Sequence, residues 1–131
     1  MLSPYKRLFL ALLFVPAFAA LAQATSPTAV VTWAAPIAYT SGTLFPAGTV
    51  VTYNLYQGTQ VGTATPSLLK VQVGLTTPTA TVTAGLTPGT TQCFAATALV
   101  AGIESAQSNQ ACAAIPNPVP NAPNQITVVI H

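Results

Sequence analysis

Residues 79–84 read Thr-Ala-Thr-Val-Thr-Ala, an alternation of period two that a helix cannot use. In an extended chain Ala80, Val82 and Ala84 share one face and the threonines the other, so one side is buried and the other is wet without being charged. The same parity sets Val30, Thr32 and Ala34 against Ala29, Val31 and Trp33. From Thr25 onward threonine fills 20 positions and valine is frequent, while turn residues recur about every 8–12 residues, the rhythm of a sandwich rather than a bundle. Strands are expected at residues 28–34, 51–57, 69–74, 79–84, 91–99, 108–114 and 125–130. Seven strands of this kind make an all-β, antiparallel, two-sheet sandwich, with Trp33 the largest apolar body available to anchor its core.

Charge narrows the function classes. Only 3% of the 131 residues are charged, where soluble domains carry about a quarter. There is no basic patch for nucleic acid and no acidic array for a metal. A nucleophile would need a base, and the one histidine is His131; Glu104 is the one acidic side chain, so paired-carboxylate chemistry is out of reach. No glycine-rich phosphate loop occurs. The expectation is a protein that is not an enzyme and takes no cofactor or metal.

Residues 1–24 read as an export signal. Lys6 and Arg7 precede an apolar run over residues 8–21, and Ala22-Gln23-Ala24 supplies small residues at a cleavage site after Ala24, with Ala22 as the alternative. An uncleaved anchor is the competing reading; the run falls short of the roughly 20 residues that span a bilayer. Export implies a secreted or periplasmic protein, with membrane contact only through the uncleaved signal. In an oxidising compartment Cys93 and Cys112 are expected to be bridged, and neither has the spacing of a zinc site. Lys70, in a short strand among turn-rich segments, suits an edge strand that must resist pairing with other chains.

Over most of residues 25–115 the chain resembles fibronectin type III modules. Val31-Thr32-Trp33-Ala34-Ala35-Pro36 resembles the second strand of that family, and Tyr53-Asn54-Leu55-Tyr56-Gln57-Gly58 the third. Leu86-Thr87-Pro88-Gly89-Thr90 is similar to the turn into the sixth strand, where Phe94 and Ala98 take core positions. Gly102-Ile103-Glu104-Ser105 followed by Ser108-Asn109 is similar to the last hairpin of bacterial members. The resemblance implies an immunoglobulin-like sandwich. Where the family commonly has a corner tyrosine this chain has Gln92, whose amide can donate in its place. In the hairpin so implied, with its tip near Gly102 and Ile103, facing residues have numbers summing to about 205. Cys93 and Cys112 meet that condition, and a bridge joining the last two strands would stabilise by about 2–4 kcal/mol.

No first strand of the family precedes Val31. Instead residues 116–124, rich in Pro and Asn, lead into Gln125-Ile126-Thr127-Val128-Val129-Ile130, which resembles the opening strand of such a module. A nine-residue extended linker reaches about 28 Å. The C-terminal strand, residues 125–131, is therefore expected either to complete its own sandwich, as a circular permutation aided by local concentration, or to fill the edge of a neighbour; a frayed tail is the third reading, weakened by the cost of leaving the run 126–130 in water. The long connection 36–48 carries Tyr39, Leu44 and Phe45 and, in the family, shares a pole with the hairpin tip at Ile103. These four residues are candidates for contact with a protein or carbohydrate partner at the cell envelope; the alternative is that Leu44 and Phe45 cap the core. The functional expectation is a non-catalytic binding module, with a self-assembling structural subunit as the alternative.

Overall fold

The computed structural model describes residues 25–120, 122–123 and 126–131, and the export segment read over residues 1–24 lies outside them. The strands are β1 (Ala29–Thr32), β2 (Val51–Gln60), β3 (Leu69–Leu75), β4 (Thr79–Val82), β5 (Thr91–Val100), β6 (Ile103–Glu104) and β7 (Ala111–Ala114), and no helix accompanies them among the described residues. All pairings are antiparallel. One sheet holds β1 and β4; the other runs β3-β2-β5, continued by β6 and β7, both paired to β5. The arrangement is the expected sandwich, and Lys70 does lie on an edge strand, β3.

The alternation seen in sequence builds the core. Ala80 and Val82 of β4 point inward to Leu55 of β2, Phe94 of β5, Leu86 and Ile115, while Ala29, Val31, Trp33 and Leu75 pack around them. Leu55 is 0% exposed and sits at the centre, where full burial of such a side chain contributes about 1.5–3 kcal/mol. Trp33 is more peripheral than its size suggests. It is half-buried, and its ring meets Tyr53 edge to face with centroids 5.5 Å apart.

The hairpin closes as expected at its base and differently at its tip. Cys93 faces Cys112 and the two are bridged. Facing residues in β5 and β7 follow the expected register, but Leu99 faces Glu104 and Val100 faces Ile103, so the pairing slips between the two segments. Two serines span the slip. Ser105 N–H donates to Ala98 O and its Oγ accepts from Ala98 N–H at 3.0 Å; Ser108 does the same with Ala96. A hydroxyl thus replaces the carbonyl that an irregular backbone turns away, and no β5 amide is left orphaned there. The strand expected over 108–114 is accordingly shortened to β7.

Gln92 occupies the corner. It is buried, donates to Thr59 Oγ1 at 2.9 Å and Thr90 Oγ1 at 3.0 Å, and accepts from Gln57 Nε2 at 3.2 Å. The donor role expected of the amide is filled, with side-chain hydroxyls as acceptors.

At the other end the structure departs from the permuted arrangement. Residues 126–131 belong to no strand, and Ile126, Val128, Val129 and Ile130 are 88%, 75%, 67% and 90% exposed. Gln125 lies outside the described residues. The physical reason lies in the linker: residues 116–120 line a hollow with residues 25–27 and Thr83, Gly85, Leu86, Thr87 and Pro88. They stay at the end of the sandwich where β7 leaves it, instead of running back along the edge.

Candidate functional site

Among the described residues β1 has one hydrogen-bonded neighbour, β4. Trp33 N–H donates to Pro78 O at 3.0 Å, toward β4, and antiparallel parity then turns the N–H and C=O of Val30 and Thr32 to the opposite side. On that outer edge they meet no strand among the described residues, and the Val30 side chain is 69% exposed.

Beneath this edge the two sheets gape. A groove of about 410 Å³ runs between Val31, Trp33 and Pro36 on one wall and β5, Ser105 and Ser108 on the other, and no charged side chain lines it. Trp33, the chain's single tryptophan, has its Nε1 buried without an acceptor. An indole N–H in that state is a donor that the chain itself leaves unsatisfied. β7 shares the opening, since all four of its residues are exposed although they stand beside buried Cys93 and Phe94.

The outer edge of β4 is finished differently. Gln72 Nε2 donates to Thr81 O at 2.9 Å, so a side-chain amide occupies a carbonyl there, and just past the end of β4 Gln57 Nε2 donates to Ala84 O at 3.2 Å. Of the two edges of the small sheet, that of β1 is the one left to accept a strand.

The four loop residues expected to bind a partner divide. Tyr39 and Phe45 stack edge to face at 4.7 Å within a small hairpin closed by Ala38 and Leu44. Leu44 is exposed and does not cap the core, while Phe45 is half-buried. Ile103 is exposed on the separate β5–β6 hairpin.

A polar cluster that sequence reading did not anticipate lies on the large sheet. Glu104 Oε1 accepts from Thr97 Oγ1 at 2.6 Å, Tyr56 Oη at 2.5 Å and Asn54 Nδ2 at 3.1 Å, and Oε2 pairs with Lys70 Nζ at 3.2 Å. The hydroxyls of Thr97 and Tyr56, then the Asn54 amide, hold the carboxyl down to about 2. Tyr56, whose ring centroid lies 5.5 Å from Lys70 Nζ, and then Glu104 hold the ammonium above its usual value. Residues of β2, β3, β5 and β6 meet on one carboxylate, which ties four strands together and leaves no free acid for chemistry.

Among the described residues no group of three or more His, Cys, Asp or Glu stands together, and no helix is long and apolar enough to cross a membrane. No family model and no curated protein matches the chain.

Proposed function

We propose that this chain is an exported, non-catalytic binding module of fibronectin type III-like architecture that takes an extended peptide strand onto the outer edge of β1, at the cell envelope. The observation that carries the reading is the edge of Val30 and Thr32, which no strand among the described residues pairs, above an uncharged groove containing the only tryptophan. Main-chain hydrogen bonds to such an edge supply affinity, and alternate side chains entering the groove supply selectivity. The disulfide fits an oxidising compartment, in keeping with the export signal read in the sequence. With no charge in the groove, binding depends weakly on salt.

Trp33 makes the reading testable. Added to the full chain, a peptide of alternating Thr and Val should shift tryptophan emission to the blue and protect the amides of Val30 and Thr32 from exchange. Val30→Pro, which removes an edge N–H that no described strand uses, should abolish both effects while leaving the fold intact. Unchanged emission and unchanged exchange at saturating peptide would rule the reading out.

A second reading, contact through the loops, draws on exposed Leu44 and the Tyr39–Phe45 pair. Leu44→Ser with Tyr39→Ser would then weaken capture of an envelope partner without altering the Trp33 response.

A further inference from the structure

We propose that the strand accepted by β1 is residues 126–130 of a second copy of this chain, lying antiparallel to β1, so that copies join head to tail. The inference rests on the strand-accepting reading above and adds the occupant, its direction and its origin.

Direction comes first. β7 leaves the large sheet at Ile115, whose N–H donates to Thr90 O and whose carbonyl accepts from Gly89 N–H, both at 2.8 Å. Residues 116–120 then line the hollow with residues 25–27, at the end of the sandwich where β1 begins. A strand antiparallel to β1 must enter from the opposite end, beside Trp33, whose ring meets Tyr53 opposite Ala98. From the level of Thr90 to that of Ala98 is about 26 Å along β5. With residues 116–120 held at the near end, the chain from Pro120 to Ile126 reaches at most about 20–22 Å. The nine-residue linker is long enough in principle and too short as it is placed. A copy stacked end to end removes the difficulty, because the donor's linker then emerges beside the acceptor's entry.

Fit comes second. Extended, residues 126–130 set Ile126, Val128 and Ile130 on one face and Thr127 and Val129 on the other, the alternation that β4 already uses. Their span of about 13 Å equals the run of β5 from Phe94 to Ala98 that walls the groove. The apolar triplet is what an uncharged groove selects, and its exposure in the single chain is what a donor strand requires. Direct intramolecular return would have to be parallel, whereas every strand pairing among the described residues is antiparallel, and parallel pairing is the slightly weaker kind. Edge and tail are different surfaces, so the contact is heterologous and propagates.

The test uses the full secreted chain and two full-length variants. Light scattering across a concentration series should show the mass of the unmodified chain rising to at least twice that of a monomer. Val128→Asp, which spoils the donor, and Val30→Pro, which spoils the acceptor, should each be monomeric. Mixed, they should form a one-to-one pair with blue-shifted Trp33 emission, which shows that the Val128→Asp acceptor is folded; a cooperative urea transition shows the same of Val30→Pro. In such pairs Thr32→Cys on one copy should cross-link to Thr127→Cys on the other. Cross-linking of Thr32→Cys to Val129→Cys together with Val30→Cys to Thr127→Cys, the pairs of a parallel strand, would overturn the direction. An unmodified chain that stays monomeric throughout, or assemblies that survive both variants, would overturn the occupant. A synthetic peptide of residues 124–131 separates the two levels. If it shifts Trp33 in the Val128→Asp chain while the unmodified chain stays monomeric, the edge accepts strands and only the self-assembly is wrong; if it does not, the strand-accepting reading falls as well.

Discussion

The two sheets of this sandwich are finished to different degrees. In the large sheet β2 and β5 pair over ten residues each, a disulfide pins β5 to β7, Gln92 closes a corner, and Glu104 gathers donors from three other strands. The small sheet is four residues of β1 on four of β4, with one edge touched by the Gln72 amide and the other met by no strand among the described residues. The contrast shows how a sandwich of this size can leave apolar surface exposed and still fold. Its centre, Leu55 with Val82 and Leu86, lies away from the opening, and of the buried cluster Phe94 alone reaches the groove wall, so the unfilled groove costs mainly peripheral packing. Trp33 sits on the boundary between the finished half and the unfinished one.

Two substitutions would break that comparison most directly. Leu55→Ala removes a fully buried side chain and should lower unfolding free energy by about 2–5 kcal/mol; Val31→Ala, on the open side, should cost about 1 kcal/mol. Urea unfolding of both measures the difference, and equal losses would mean the core extends to the groove after all. Next in size is the bridge. Replacing Cys93 and Cys112 with Ser reopens a loop of about 20 residues and should cost about 3 kcal/mol, without altering the tail's ability to pair. A loss below about 1 kcal/mol would show that the β5–β7 ladder and its serines hold the hairpin unaided.

The polar cluster gives a smaller effect with a distinct signature. The carboxyl of Glu104 titrates near 4.5 when unfolded and about 2 when folded. A depressed pKa means that its contribution is complete above pH 4.5 and disappears as the pH falls toward 2. Because Glu104 is the only acidic side chain in the sequence, Glu104→Gln should remove nearly all of the acid slope of stability while destabilising the protein at neutral pH. Lys70 behaves with the opposite sign: its raised pKa makes its contribution complete below about 10.5 and lost above. Both groups are partly exposed, so added salt should weaken the effect. A slope unchanged in Glu104→Gln would move the acid sensitivity elsewhere.

Much of the finished half was legible in the sequence, because it is built from local pattern. The turn before Thr91 placed β5, and a hairpin register paired Cys93 with Cys112; in the small sheet, alternation in residues 79–84 marked β4. Lys70 read correctly as an edge residue because lone cations in short strands serve that purpose. Its partner did not, since Lys70 and Glu104 are 34 positions apart and only strand order brings them together. Ser105 and Ser108 appeared as a motif, but their work depends on a slip in register that spacing cannot reveal. The open side carried no local signal; only the resemblance, which implied an opening strand displaced to the tail, pointed toward it. A nine-residue linker sets an upper limit on reach; what residues 116–120 lie against decides how much of that reach is left.

The smallest effect belongs to the tip of the finished sheet. β5 and β6 are joined by Ala101 and Gly102, whose φ values of 51° and 77° are those of a two-residue type I′ turn. Glycine adopts this conformation freely, whereas alanine's Cβ crowds the following carbonyl, at a cost of about 1 kcal/mol. Asparagine tolerates the left-handed region far better, so Ala101→Asn should raise unfolding free energy by about 0.5–1 kcal/mol, read as a rise of a few degrees in Tm. Since the turn belongs to the half that is already complete, the gain should leave the concentration dependence of the mass unchanged. A variant that grew more stable and also altered assembly would tie the hairpin tip to the open edge, and the division between the two sheets would have to be drawn elsewhere.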